Sequence, residues 1–496
     1  MIDVLSVDNM RKSDAHTIAS GVPGRELMAR AGQAIFEAAD WKPPVAVLCG
    51  SGNNAGDGYV VAELLRNHGI PVDLILLSDR FSSDGKYYYD RCRAAGIPAF
   101  PWHTGLDLSA YGSILDCLFG TGFHGEPQGP SREAIEAVNR SSAYVVSADI
   151  NSGLNGDSGL GDPCVRSDLT VAIGGFKPGH FLNRAKDVMA RKISVDIGIS
   201  PLDPPFHLLE EADVRGFFPP RPHFSHKGTY GYLTLIGGSR KYTGAIRLAA
   251  MAGAAMRSGA GVVRAAFPSS LYHEIVPALL ESTAFPLPDR EGELVFSQAD
   301  LASLAEKSRS IAFGMGIGLG NGARDSLSWL LDHFTGNLIV DADGLTLLAA
   351  MKPERLRQSP ASLILTPHIG EFSRLTGLSP DQILSDPVKA ARGFAGGHGV
   401  VLLLKGPATI VTDGSEVLLT DTGCPGMATG GSGDVLSGIL AALASWMPNP
   451  LRAASAAAWI NGKAGEKAES RSNAYSMTAG DTARAVGEVL TDLLRP

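Results

Sequence analysis

A glycine-rich segment in the C-terminal half carries the strongest chemical signal of the chain. It runs from Gly423 to Leu436, reads GCPGMATGGSGDVL, and includes the hydroxyl residues Thr429 and Ser432. The apolar run that follows predicts a buried helix. A glycine loop that leads into a helix N-terminus presents backbone N–H groups at the positive end of the helix dipole. The segment therefore predicts a phosphate-binding loop.

Asp434 is the one carboxylate of this loop, and a carboxylate repels phosphate. On the residues alone, two explanations stay open. Asp434 is either a general base for the hydroxyl group that attacks the phosphate, or a cap of the helix N-terminus, where Asp and Ser are favoured.

Three polar loops in the N-terminal half form a second candidate site. GSGNNAGDG follows an apolar run at Val45–Cys49, and the other two loops begin at Asp116 and Asp149. Each loop alone is typical of a turn. The carboxyl ends of strands in a doubly wound sheet meet at one crevice, so we expect the three loops to lie together. The oxygen atoms of Asn54 and Ser152, with those of Asp116, are of the kind that hard cations prefer.

Apolar runs alternate with helical patterns in both halves, which is typical of parallel sheets covered by helices on both faces. The predicted strands are Val45–Cys49, Val72–Leu77, Ile114–Phe119, Tyr144–Ile150, Leu169–Ile173, Tyr232–Ile236, Val262–Phe267, Ser310–Phe313, Leu338–Val340, Leu363–Thr366, Val400–Lys405 and Thr409–Thr412. The predicted helices include Gly58–His68, Arg132–Asn139, Ile246–Arg257 and Ala453–Lys467.

Length and composition limit the classes of protein. The 496 residues suffice for two or three domains, and the net charge of −8 disfavours a general nucleic-acid binder. No apolar stretch reaches the roughly 20 residues that span a bilayer, and the N-terminus does not resemble a secretory signal. Five dispersed cysteines without a CxxC pair argue against zinc and fit a reducing compartment, so we expect a cytoplasmic protein. The proline-rich interval 206–225 predicts a linker between domains at 1–205 and 226–496.

The motifs GSGNNAGDGYVVAELL, DCLFGTGF and SADINSGLNGDSG resemble the YjeF N-terminal family, the NAD(P)H-hydrate epimerases, over roughly residues 10–200. The resemblance implies a Rossmann-like doubly wound sheet, Asp149 as the acid/base residue, and potassium held by Asn54, Asp116 and Ser152. Ala55 and Asn151 depart from the family's usual Gly and Pro. The implied contacts to the hydrated nucleotide are Asn53, Asn54, Ala55, Gly56, Asp57, Gly120, Thr121, Gly122, Phe123, His124, Gly125, Glu126 and Asp149.

Further motifs in the C-terminal half have simple explanations one by one. His368 in TPHIGE is most simply a structural histidine, and Lys405 in KGPAT a solvated strand end. Asp341 and Asp343 in DADGL are most simply helix caps. No GxxxxGK[ST] occurs, which excludes a P-loop enzyme.

Together with HKGTYG and PGMATGGSGDVLSG, these motifs resemble the ribokinase-like superfamily and, within it, the YjeF C-terminal family over about residues 220–490. Those proteins are the ADP-dependent NAD(P)H-hydrate dehydratases. Cys424, Ser432, Gly344 and Thr346 replace the family's Asn, Thr, Ala and Asn. The resemblance implies hydrate contacts at Ala245, Gly316, His368 and Asp434. The implied ADP or AMP contacts are Lys405, Gly406, Pro407, Ala408, Thr409 and Gly433.

The expected fold is therefore α/β, with an N-terminal Rossmann-like doubly wound sheet and a C-terminal ribokinase-like domain. The expected function is repair of nicotinamide nucleotides: epimerisation of R- and S-NAD(P)H hydrates, then dehydration of the S form to NAD(P)H. ADP would be the phosphoryl donor and yield AMP and phosphate, with Mg²⁺ on the nucleotide and K⁺ in the epimerase site. The expected partners are the small molecules NADHX and NADPHX, without nucleic acid or membrane, and we expect a homo-oligomer.

Three other functions stay open on the sequence. A ribokinase-like small-molecule kinase would share the base and the glycine loop. A catalytically silent nucleotide-binding scaffold would not need carboxylates at Asp149 and Asp434. A hydride-transferring dehydrogenase depends only on the GxGxxA pattern and on Asp79, and the polar loop weakens that interpretation.

Overall fold

The structure is a computed structural model that describes residues 1–251, 256–351 and 354–495. It contains two compact units. One is Asp3–Phe206, and the other combines Met1–Ile2 with His207–Pro496. Each unit has a sheet of its own.

The elements up to residue 195 are β1 (Ile2–Val4), α1 (Val7–Ala19), α2 (Gly24–Ala38), β2 (Val45–Cys49), α3 (Asn53–Asn67), β3 (Val72–Leu76), α4 (Ser83–Ala94), β4 (Ala99–Pro101), β5 (Ser113–Cys117), α5 (Pro130–Arg140), β6 (Tyr144–Ala148), β7 (Leu169–Ile173), α6 (Ala185–Val188) and β8 (Lys192–Val195). Strands β2 to β8 form a parallel sheet in the order β4-β3-β2-β5-β6-β7-β8. The chain leaves β2 toward one edge and returns at β5 toward the other. The β2/β5 boundary is thus the switch point, where doubly wound sheets bind ligands.

The predicted bounds of β2 and β7 are confirmed. The start of α3 was placed too late, at Gly58. The helix begins at Asn53, with Gly52 in an extended conformation before it, so NNAGD forms the first turns of a helix instead of a loop. Ala55 therefore has a helical backbone, in which alanine fits at least as well as glycine.

The remaining elements are β9 (Phe206–Leu208), α7 (Glu211–Gly216), β10 (Tyr232–Ile236), α8 (Thr243–Ala250), β11 (Val262–Pro268), α9 (Tyr272–Ile275), β12 (Thr283–Leu287), β13 (Asp289–Arg290), β14 (Glu293–Leu294), α10 (Gln298–Lys307), β15 (Ser310–Phe313), α11 (Asn321–His333), β16 (Asn337–Val340), α12 (Asp343–Ala349), α13 (Glu354–Gln358), β17 (Ser362–Leu365), α14 (Ile369–Thr376), α15 (Pro380–Ser385), α16 (Pro387–His398), β18 (Val401–Leu404), β19 (Thr409–Thr412), β20 (Val417–Thr420), α17 (Ser432–Ala444), α18 (Pro450–Glu469) and α19 (Ala479–Leu493).

The large sheet of the C-terminal unit has the order β1-β9-β20-β19-β18-β17-β16-β15-β10-β11-β12. Strands β18 through β12 in this order pair in parallel, whereas β18, β19 and β20 pair antiparallel. Helix α17 is apolar on all sides, and every residue from Val435 to Ala444 is buried. It belongs to the central core, so the loop before it is fixed at one end by a buried helix.

Two predicted segments differ in the structure. The interval 206–225, expected to be a linker, contains β9 and α7, and Leu209 and Val214 within it join the hydrophobic core. The alanine-rich helix predicted over Ile246–Arg257 ends at Ala250. Residues 252–255 of that prediction lie outside the described residues, and a short 3-10 turn follows at Met256–Ser258.

Candidate active sites

The N-terminal unit has a cavity of about 600 Å³, and its wall includes residues that follow both β2 and β5. The cavity thus lies at the predicted switch point. The expected contact residues in its wall are Asn53, Asn54, Asp57, Gly120, Thr121, Gly122, Phe123 and Asp149.

The other expected contacts of this site lie elsewhere. Ala55 and Gly56 are buried and are not part of the cavity wall, and a Cβ atom added at Gly56 would lie 2.5 Å from the side chain of Met28 in α2. His124, Gly125 and Glu126 are exposed and outside the cavity wall. Their assignment as hydrate contacts gains no support from this geometry.

Asp149 follows β6 with a left-handed backbone conformation (φ 62°), which turns its carboxylate into the cavity. Lys177 Nζ donates to Asp149 Oδ1 at 2.6 Å and to Ile173 O at 2.8 Å, and its side chain is only 1% exposed. Burial alone would raise the pKa of Asp149, but Lys177 outweighs burial and the pKa is lowered. Asp149 is therefore an anion held by a buried ammonium group. Lys177 was not among the residues predicted for this site.

The backbone of Asp149 is fixed as well. His180 Nε2 donates to Asp149 O at 2.7 Å, while His180 Nδ1 accepts from Lys177 N at 2.9 Å. Burial and the nearby Lys177 lower the pKa of His180 to about 4, so the ring is neutral and keeps this arrangement of donor and acceptor.

The three expected potassium ligands meet around one carbonyl group. Asn54 Nδ2 donates to Phe119 O at 2.9 Å, and Ser152 Oγ accepts from Phe119 N at 2.9 Å. The carboxylate of Asp116 is fully buried and accepts from Ser152 Oγ at 2.5 Å and from Ser147 Oγ at 3.0 Å. Among the described residues, Asn54 Oδ1 is buried and has no hydrogen-bond partner. Ser152 thus links the Asp116 carboxylate to the Phe119 peptide that Asn54 also contacts, and a buried oxygen without a partner in such a site fits a cation with oxygen ligands.

Asn151, which stands where the family has Pro, is held in place by hydrogen bonds. It is fully buried, and its Nδ2 donates to Val165 O, Ser167 Oγ and Val188 O at 2.9–3.0 Å. Its Oδ1 accepts from Thr170 Oγ1 at 2.5 Å. These bonds hold the loop after Asp149 in the place of a proline ring.

In the C-terminal unit, Asp434 lies in the first turn of α17. The helix is capped by Gly431 in a left-handed conformation (φ 95°), and no side chain caps it. The capping explanation for Asp434 is therefore wrong. Burial, and then the charge of Asp341, raise the pKa of Asp434 to about 7, against an opposing effect of Lys405. No hydrogen bond from a described residue reaches this carboxyl group.

Beside Asp434, Lys405 Nζ lies 3.0 Å from Asp341 Oδ1 and 3.6 Å from Glu371 Oε2. Asp341 is 2% exposed, and its Oδ2 accepts from Ser437 Oγ of α17 at 2.7 Å. Asp341 is thus an ion-pair partner and not a helix cap, because α12 begins after Ala342. Nor is Lys405 a solvated strand end, since only 23% of its side chain is exposed.

The glycine loop passes close to this ion pair. A Cβ atom added at Gly433 would lie 3.6 Å from Lys405 Nζ and 3.7 Å from Asp341 Oδ2, whereas one at Gly430 would meet open space. Ser432 Oγ is buried without a partner among the described residues. In the KGPAT segment, Gly406 and Pro407 are exposed, Ala408 is buried and Thr409 begins β19. The loop thus combines an accessible backbone with one nearby cation.

His368 and Lys405 are brought together by an isolated parallel bridge, in which Lys405 N donates to Pro367 O at 2.9 Å. His368 caps α14: its Nδ1 accepts from Gly370 N at 3.0 Å. In the same cap, Glu371 Oε2 accepts from His368 N at 2.9 Å. The His368 side chain is 56% exposed, and its Nε2 lies 3.6 Å from Glu371 Oε1.

The other two expected hydrate contacts, Ala245 and Gly316, lie next to each other. Gly316 has a left-handed backbone (φ 62°), and a Cβ atom there would lie 3.0 Å from Ala245 Cβ and 2.6 Å from Tyr242 Cβ. The close approach of these two segments requires glycine at position 316.

Two glutamates of α18 hold the start of the loop and were not predicted. Glu466 Oε1 accepts from Gly423 N at 2.9 Å, and Glu469 Oε2 accepts from Gly426 N at 2.8 Å. Between them, Cys424 Sγ lies 3.9 Å from Met477 Sδ, and burial raises the pKa of this thiol to about 11. The amide that Cys424 lacks is thus not needed to order the loop backbone.

Two families of known proteins match the two halves of the chain. A family model described as NAD(P)H-hydrate dehydratase matches residues 233–486, and one described as YjeF-related protein N-terminus matches residues 24–179. The bifunctional NAD(P)H-hydrate repair enzyme Nnr of Coxiella burnetii is 33% identical over 485 residues, covering 95% of this chain and 96% of its own. The chain belongs to the bifunctional NAD(P)H-hydrate repair enzymes.

Two solved structures are similar in fold to the C-terminal half of the repair enzyme. The ADP/ATP-dependent NAD(P)H-hydrate dehydratase of Bacillus subtilis, co-crystallised with ATP/Mg²⁺, is similar to 57% of the chain, with 97% of its own length, 28% identity and a TM-score of 0.50. A ribokinase-like superfamily protein of Enterococcus faecalis shares the fold over 59% of the chain and 97% of its own, with 24% identity and a TM-score of 0.50. The expected fold class is confirmed, and the comparisons support repair over the small-molecule kinase.

None of the helices described is both long and apolar enough to cross a membrane. In the same residues, no three His, Cys, Asp or Glu side chains group as metal ligands.

Proposed function

We propose that the two units of the repair enzyme divide the reaction: the N-terminal cavity interconverts the R and S hydrates, and the C-terminal site dehydrates the S form. The observation that carries the proposal is the state of Asp434. It is a carboxyl group with a pKa of about 7, no hydrogen-bond partner among the described residues, and a glycine loop beside it. A group in this state can accept a proton near neutral pH.

In the dehydratase site, Asp434 accepts the proton of the C6 hydroxyl group of the hydrate while that oxygen attacks the terminal phosphate of ADP. Hydroxide is a poor leaving group and phosphate a good one, so the lone pair of the ring nitrogen then expels phosphate and forms a C=N⁺ bond. Loss of a proton from C5 to solvent moves the double bond to C5=C6 and restores NAD(P)H. The backbone N–H groups from Gly430 to Gly433 and the dipole of α17 stabilise the charge on the transferring group. AMP and phosphate are released.

Lys405 and the segment up to Thr409, with Gly433, bind the adenine nucleotide, and Ala245, Gly316 and His368 bind the hydrate. The proximity of Gly433 to Lys405 supports the first assignment, and the exposed side chain of His368 supports the second. The donor is ADP or ATP, as the name of the Bacillus subtilis enzyme suggests. Mg²⁺ would neutralise the nucleotide phosphates.

In the epimerase site, Asp149 is the acid/base residue, held as an anion by Lys177. Asn54, Asp116 and Ser152 hold K⁺, a proposal that the orphaned Asn54 Oδ1 supports. The substrates are NADHX and NADPHX, and we propose a cytoplasmic homo-oligomer.

The test uses the full chain with separated R and S hydrates, with and without ADP, and follows NADH absorbance together with free phosphate. Asp434→Asn should abolish ADP-dependent recovery of NADH and leave R-to-S conversion intact. Asp149→Ala should abolish R-to-S conversion and leave recovery from the S hydrate intact. Full recovery by Asp434→Asn would show that Asp434 is not the base.

A further inference from the structure

A second carboxyl group faces the cavity of Asp149 and lacks a cationic partner of its own. Asp57 lies in α3, lines the cavity and is only 9% exposed. No hydrogen bond from a described residue reaches its carboxyl group. The single buried ammonium nearby, that of Lys177, is bound to Asp149 and to Ile173 O.

The position of Asp57 is rigid. A Cβ atom added at Gly32 of α2 would lie 2.4 Å from Val60 Cβ and 3.0 Å from Asp57 O, so the two helices touch along their backbones at this point. Helix α3 also packs on β2 and β5. A side chain on such a scaffold can be held in the geometry that proton transfer needs.

We propose that Asp57 is a catalytic residue that donates the proton in epimerisation and that Asp149 is the base that receives one. The inference rests on the proposed assignment of epimerisation to this cavity. Two carboxyl groups in one buried site do not both ionise readily, because each charge loses solvation and repels the other. Lys177 stabilises the charge on Asp149, so the proton remains on Asp57.

The protonation states agree with this division. Burial, and then the charges of Asp149 and Asp14, raise the pKa of Asp57 well above its usual range, whereas the pKa of Asp149 is lowered. Of the other charged groups that line the cavity, Asp14 adds negative charge from α1, Arg11 of α1 is paired with Asp8, and Asp84 of α4 is paired with Arg25.

The reaction balances as follows. Asp57 gives its proton to the C6 hydroxyl oxygen, the C6–O bond breaks, and water leaves while the ring-nitrogen lone pair forms a C=N⁺ bond. A second water adds to the opposite face of C6, and its surplus proton passes to Asp149. The product is the other epimer, with Asp57 ionised and Asp149 protonated. Proton exchange with water returns both carboxyl groups to their starting states before the next R-to-S turnover. The reverse reaction uses the same groups with their roles exchanged, so no reactant other than water is needed.

The decisive measurement is the R-to-S rate of the full chain with pure R hydrate, with the uncatalysed rate subtracted. Asp57→Asn and Asp57→Ser should lower this rate about a hundredfold or more, as expected for loss of a general acid. Asp90→Asn, which removes an exposed carboxylate of α4 outside the cavity wall, should retain the rate. Thermal melting of each variant shows which replacement is folded, and the R-to-S rate of the folded variant tests the role of Asp57.

Three outcomes are distinguishable. A folded Asp57 variant with the wild-type rate, beside an inactive Asp149→Ala, overturns the role of Asp57 and leaves the proposed function standing. Wild-type rates in both the Asp57 variant and Asp149→Ala would show that epimerisation does not take place in this cavity. In ¹⁸O-labelled water, each conversion should place solvent oxygen on C6 faster than in an enzyme-free control, and retention of the original oxygen would overturn the C6–O cleavage.

Discussion

Lys405 Nζ lies 3.0 Å from the buried Asp341 Oδ1, and this ion pair borders both the glycine loop and Asp434. Burial would lower the pKa of Lys405, but Asp341 and Glu371 raise it overall, so the ammonium group stays charged. One pair thus places a fixed cation beside the glycine loop and a fixed anion that opposes ionisation of Asp434.

The pH dependence of dehydration should report Asp434. Its pKa is raised to about 7, and a base acts only when ionised, so kcat with saturating ADP should rise as pH increases through about 7. Asp341→Asn removes the larger repulsive charge and should move this rise to lower pH. Asp343→Asn, which removes a weaker repulsion, should move it less in the same direction. A rise that stays in place in both variants would assign the titration to another group.

Loss of the cation should weaken nucleotide binding. We expect Lys405→Met to raise KM for ADP roughly tenfold or more, since a hydrogen bond to a charged group contributes about 1.5–3 kcal/mol. Steady-state kinetics of NADH recovery measures the change. Lys389→Met removes an exposed lysine of α16 and serves as the matched control. Equal KM values for the two variants would place the phosphates away from Lys405.

Potassium dependence should follow Asn54. The wild-type enzyme should epimerise the R hydrate faster in K⁺ than in choline buffer, because the buried Asn54 Oδ1 then gains a partner. Asn54→Leu should be slow in both buffers, with no difference between them. A variant that keeps the full response to K⁺ would locate the cation elsewhere.

The sequence predicted most strands and the three loops that line the N-terminal cavity, because apolar runs and loop motifs are local signals. It missed partners that are distant in the chain. Lys177 meets Asp149 across 28 positions, and Asp341 meets Lys405 across 64, so no spacing rule connects either pair. The helical start at Asn53 was missed because glycine weakens helix propensity, and burial between β2 and α2 overrides that preference.

Asn151 offers a test of how the loop after Asp149 is stabilised. Asn151→Ala would leave the buried carbonyl groups of Val165 and Val188 and the hydroxyl group of Thr170 without their amide partner. An unsatisfied buried polar group costs about 1–3 kcal/mol, so we expect the free energy of unfolding to fall by at least that amount in urea titrations. Asn67→Ala, at the exposed end of α3, should change it little. Similar unfolding midpoints for both variants would mean that water replaces the amide and that the loop is fixed by Asp116 and Ser152 instead.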